Sequence, residues 1–79
     1  LFLEVFRKKG LIDPVHKHMD HETVAYLISG KMRLVIGGEE FIATAGSSWV
    51  HPVGVEHYSE ALEDCLQVEV KSPPRKTWE

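Results

Sequence analysis

Four side chains in this sequence have the types and spacing of a divalent-metal site: His16, His18, Glu22 and His57. His16 and His18 stand two residues apart, so on an extended backbone both imidazoles leave the same face. Glu22 shares parity with His18 if the strand resumes without a bulge, and His57 lies far off in sequence, just past the turn residues Pro52-Val53-Gly54. Three neutral imidazoles and one carboxylate brought together would hold a transition ion. Imidazole suits Zn, Cu, Fe and Ni, and a carboxylate widens the choice towards Fe and Mn. A His-x-His pair by itself is equally at home on a surface or in a core. Its meaning depends on the elements that carry it. His51, just before Pro52, is a candidate proton-transfer group because an unperturbed imidazole titrates in the right range. His21, between the ligands, reads as a solvated loop residue.

Those elements have the period of strands. Residues 1–7 alternate loosely, with Leu1, Leu3 and Val5 on one face and Phe2, Glu4 and Phe6 on the other. Thr23 to Ile28 and Met32 to Ile36 are short, rich in β-branched and aromatic residues, and separated by Ser29-Gly30. Gly37-Gly38 between Ile36 and Glu39-Glu40-Phe41-Ile42 is a two-residue hairpin signal. Ser48 to His51 and Leu66 to Val70 read as two further strands. No stretch carries an i, i+3, i+4, i+7 apolar stripe, so essentially no helix is expected. Six or seven short strands with Gly/Pro punctuation predict an all-β sandwich or small barrel. Tyr26, sharing parity with Glu22, is a candidate pocket residue, and Trp49, Phe2 and Phe6 are expected in the core or at an interface.

The spacing as a whole is more specific than any pair. Gly10-x5-His16-x-His18-x3-Glu22 is followed by Gly30, and the second half reads Gly46-x5-Pro52-x-Gly54-x2-His57. In order and separation these resemble the two motifs of the cupin superfamily. The resemblance implies a double-stranded β-helix jelly roll with a metal in the barrel mouth, held here by His16, His18, Glu22 and His57. The acidic position is ambiguous. Counting back from Gly30 at the family's usual spacing gives Thr23, whereas counting forward from His18 at the shorter spacing gives Glu22. A one-residue slip exchanges the faces of a strand, so Thr23 at the site would leave three histidines and water. The stretch Glu69-Val70-Lys71-Ser72-Pro73-Pro74-Arg75 resembles, in part, a pattern of small cupins that act on unsaturated uronates. There an acid and an arginine face the substrate, which implies roles for Glu69 and Arg75 and leaves Lys71 as a departure. An arginine suits a carboxylate bidentately.

The rest of the sequence bounds the alternatives. Seventy-nine residues allow one domain over 1–79, with a Pro-containing tail at 72–79, and the missing initiator methionine suggests a piece of a longer protein. A chain this short is marginal on its core alone, which points to metal and self-association; a homodimer is expected. The single Cys65 rules out an internal disulfide and fits a reduced, cytoplasmic setting. Nine basic against twelve acidic residues leave no broad basic footprint for nucleic acid. No apolar run reaches the ~20 residues of a membrane-spanning helix. The N-terminal positive charges follow the apolar stretch, the reverse of a secretory signal. The leading expectation is therefore a small metal-dependent enzyme acting on a sugar-like or organic-acid substrate by Lewis-acid and acid/base chemistry, with Fe, Mn, Ni or Zn as the ion. Two alternatives stand beside it. One is an iron-dependent dioxygenase, which Glu22 as a ligand would favour. The other is a non-catalytic module that binds or senses a small ligand.

Overall fold

A computed structural model describes residues 2–72. Its strands are β1 (Phe2–Arg7), β2 (Ile12–His16), β3 (Glu22–Ser29), β4 (Lys31–Ile36), β5 (Glu39–Thr44), β6 (Ser48–His51), β7 (His57–Ala61) and β8 (Cys65–Ser72). They form two four-stranded antiparallel sheets, β1-β8-β3-β6 (sheet A) and β2-β7-β4-β5 (sheet B). Successive strands alternate between the sheets except at the β4–β5 hairpin, which is the connectivity of a jelly roll. Among the described residues there is no helix, and hence none able to cross a membrane.

Eight strands form where six or seven are predicted, and the reason lies in what β2 and β7 bury. The inward residues of β7 are His57, Ser59 and Ala61, all buried and none a large hydrophobe, so the strand has no apolar alternation to read. In β2 the proline Pro14 argues against a strand, but β2 is the edge of its sheet, where a missing N–H is tolerated. Gly37 and Gly38 make the expected hairpin turn with φ of 57° and 83°. Gly30, between β3 and β4, has a different constraint. A Cβ there would lie 2.7 Å from Cys65 Sγ and closer still to the Asp64 carbonyl, so the chain crossing β8 excludes any side chain.

Cross-strand register stacks the interior in layers. At the deep end Met32 pairs with Ala43 and Ala61. Above it Leu34 faces Ser59, and on the other sheet Ala25 lies between Glu69 and Trp49. The mouth layer is Lys71–Thr23–His51 from sheet A opposite His16–His57–Ile36 from sheet B. Apolar burial is concentrated in Leu27, Met32, Leu34 and Cys65, with Trp49 beside them, while Thr23, His57, Ser59, Gln67 and Glu69 are also buried. An interior this polar towards one end spends stability on a site; buried polar groups are retained only when bonded.

One expectation is corrected here. Tyr26 lies on the outer face of sheet A, on the parity of Val24 and Ile28, and lines no pocket in the barrel. Of the three aromatics expected in the core or at an interface, Trp49 is in the core, while Phe2 and Phe6, 65% and 63% exposed, lie on the surface. Arg75 and most of the 72–79 tail lie outside the described residues.

Candidate metal centre

The three motif histidines meet at the barrel mouth. One nitrogen from each of His16, His18 and His57 lies within 4.8 Å of the other two. His16 and His57 are direct cross-strand partners on β2 and β7. That pairing depends on a register shift, because Asp13 pairs with Ser59 and His16 with His57, three residues on one strand against two on the other. The extra residue of this bulge returns His16 to the inward face, the usual use of a bulge beside a site. His18 lies just past β2, and its carbonyl accepts the N–H of Gly54 at 2.8 Å, tying the two motifs together.

Hydrogen bonds fix which nitrogen each ring offers. His16 Nδ1 lies 2.6 Å from the Pro14 carbonyl and His57 Nδ1 3.3 Å from that of Val55. A carbonyl only accepts, so both Nδ1 atoms carry hydrogen and the neutral rings present bare Nε2 lone pairs. Those two Nε2 atoms lie 2.9 Å apart. Two lone pairs at that separation repel unless a proton or a cation lies against them. Two nitrogens each about 2.0–2.1 Å from one ion, at right angles, would be about 2.9 Å apart, so the donor set fits a divalent metal. Backbone carbonyls orienting ligand rings are the usual outer support of such sites. Burial, followed by neighbouring histidines, lowers the pKa of His18; burial also lowers that of His57. Both shifts favour the neutral, ligating form.

The structure separates the two candidates for the acidic position. Thr23 is buried on the inward parity with Ala25 and Leu27, while Glu22 falls on the alternate parity with Val24 and Tyr26 and is absent from the convergent group. Across the sheet from Thr23 stands His51. Its Nε2 accepts the indole N–H of Trp49 at 2.9 Å, and its ring centroid is 4.2 Å from that of His57. Burial above all, with the adjacent histidines, pushes its pKa down to about 3. It is therefore neutral at physiological pH and a weak base.

Below the mouth Glu69 is held by several groups. Gln67 Nε2 donates to its Oε2 at 2.7 Å, Arg7 Nη2 is 3.6 Å away, and Lys71 Nζ is 3.8 Å from Oε1. Arg7 also donates to Gln67 Oε1 and approaches Asp13 at 3.8 Å. Sequence reasoning passed over Arg7, whose only legible feature was a basic run at a strand end. It also read His21 as solvated. In the structure His21 Nδ1 donates to Asp20 at 2.8 Å, its ring stacks 4.3 Å from His18, and its Nε2 is buried without a protein partner. A cavity of about 260 Å³ lined by Val15, Val35, Gly38, Glu56, His57 and Tyr58 touches this centre only at His57. Val35 and Tyr58 have outward parity, so it belongs to the outside of sheet B and not to the mouth.

Comparison with known proteins agrees with this geometry. Residues 2–70 match the family model described as Cupin domain (Cupin_2). The pectin degradation protein KdgF of Dickeya dadantii is 32% identical over 68 residues, which are 85% of this chain and 62% of that protein. Among solved structures, KdgF from Halomonas sp. superimposes with a TM-score of 0.82 at 26% identity, covering 99% of this chain and 74% of that one. An RmlC-like cupin from Shewanella frigidimarina gives 0.86 at 25% identity, covering 100% and 70%.

Proposed function

The chain belongs to the cupin superfamily, and from that premise we propose that it is a small metal-dependent enzyme acting on a carboxylate-bearing, sugar-like substrate of the kind released in pectin breakdown. The observation that carries this reading is the convergence of three imidazoles, two with facing lone pairs, at a mouth whose next layer in register holds the buried Glu69. His16, His18 and His57 would hold the ion, with Thr23 rather than Glu22 beside it. A bound divalent ion would supply Lewis-acid stabilisation of negative charge developing on a substrate oxygen; of Fe, Mn, Ni and Zn, three imidazoles suit Fe, Ni and Zn, and Mn would call for the carboxylate that Glu22 does not bring. Glu69, with Arg7 and Lys71 beside its side chain, is the proposed proton-moving group, since the weakly basic His51 is poorly suited to accept one. Arg75 is proposed to hold the substrate carboxylate, and a homodimer completes the picture. The inward parity of Thr23 supports a non-redox reaction over the dioxygenase, which would draw on Glu22.

The test is incubation of metal-loaded protein with a 4,5-unsaturated uronate under strict anaerobiosis, followed by proton NMR of the vinyl signal. Loss of that signal above the spontaneous rate, abolished in Glu69→Gln, is expected. A uronate that binds and is recovered unchanged would assign the chain to the non-catalytic binding class instead. Turnover that requires O₂ would assign it to the dioxygenases.

A further inference from the structure

His51 has a buried nitrogen that nothing among the described residues uses. Trp49 and His51 share the inward parity of β6, and the indole can only donate, so its hydrogen bond at 2.9 Å requires a bare lone pair on His51 Nε2. The hydrogen of the neutral ring is then on Nδ1. That Nδ1 is enclosed and has no hydrogen-bond partner among the described residues, and a buried donor left unpaired is destabilising. It belongs to a ring whose centroid is 4.2 Å from that of His57, tilted by 47°, and whose strand position is across from the inward-facing Thr23. With one nitrogen occupied by the indole and the other protonated, His51 offers no lone pair to an ion. It offers a hydrogen.

We propose that His51 is a fixed hydrogen-bond donor to an oxygen of the ligand held at the three-histidine centre, with Trp49 selecting the donor tautomer. The mouth layer indicates the chemical class. Thr23 and His51 are cross-strand neighbours that bring a hydroxyl and an imidazole N–H to one row, opposite the imidazoles of the other sheet, and Lys71 completes the row with its ammonium 3.8 Å from Glu69. Such a row suits an acceptor-rich anion, a carboxylate or a 2-hydroxy carboxylate, and discriminates against an amine. Fixing the tautomer through a second hydrogen bond spares the ligand the cost of reorganising its partner. This rests on the metal-centre reading given above, and the test keeps the two apart.

Long-range proton–nitrogen correlation NMR on metal-free protein reports the His51 tautomer directly. The Nδ1–H form is expected in the wild type, and a mixture of tautomers in Trp49→Phe. Cobalt(II)-loaded protein titrated with glycolate, followed by visible absorption, reports ligand binding apart from turnover. His51→Leu is expected to leave cobalt affinity within about twofold and to weaken glycolate about tenfold, the size of one hydrogen bond to a charged group. His51→Asn, whose amide N–H₂ occupies the region of Nδ1, is expected to recover most of that loss. An Nε2–H tautomer in the wild type, unchanged glycolate binding in His51→Leu, or parallel loss of cobalt in that variant would overturn the proposal. The last result would make His51 a ligand. Failure of the wild type to take up cobalt would count against the metal centre alone; the NMR tautomer and glycolate-induced shifts at His51 then decide this inference.

Discussion

Each imidazole at the mouth is defined by the bond its second nitrogen makes. Carbonyls leave His16 and His57 with Nε2 lone pairs, and the indole leaves His51 with a hydrogen instead. The first two were legible in the sequence because the spacing of the motifs is rigid. The third was not, because residue type does not reveal a tautomer. Choosing between Glu22 and Thr23 likewise required the strand register. His51 makes a prediction about pH. Its folded-state pKa of about 3 lies below the unfolded value of about 6.5, so only the unfolded chain takes up a proton as pH falls between them. Stability contributed at neutral pH is therefore lost as pH drops from about 6.5 towards 3, and His18 and His57, lowered in the same direction, add to the loss. Urea unfolding of metal-free protein at pH 7 and pH 5 should show a steeper decline for the wild type than for His51→Gln. Equal declines would contradict the burial of a neutral ring at this position.

Among the elements, those with apolar alternation or a glycine turn were readable, and those specialised for the site were not. β7 exposes nothing in sequence because its inward side chains are His57, Ser59 and Ala61. β2 runs through Pro14, whose carbonyl orients the His16 ring, and is shifted by a bulge that turns His16 inward. Sheet A has the opposite character on its outer face. Phe2, Val70, Val24 and Val50 are cross-strand neighbours in one row over all four strands, and each is at least 43% exposed. Phe6 and Tyr26 extend the patch. A second copy of this chain is the occupant we propose, since an exposed apolar row running over all four strands suits an isologous contact. Sedimentation equilibrium should give twice the 9.0 kDa chain mass, and Val24→Glu should return it to 9.0 kDa. A wild type that sediments at the chain mass would remove the dimer.

On the scale of the whole molecule, two four-stranded sheets enclose an interior that passes from apolar at one end to imidazole, hydroxyl and ammonium at the other. The all-β class was legible from strand period and turn residues, and the jelly roll from motif spacing, although the strand count fell short of the eight observed. The polarity gradient was not, since it arises from which residues register aligns across strands far apart in sequence. Few large side chains are fully buried, so bound metal should contribute to the stability of the mouth as well as to its chemistry. Elemental analysis of protein purified without a polyhistidine tag, beside a His16→Ala/His18→Ala variant, tests this most directly. About one divalent ion per chain in the wild type and none in the variant is the predicted result. A folded wild type that carries no metal and takes up neither zinc, iron, nickel nor manganese would contradict it.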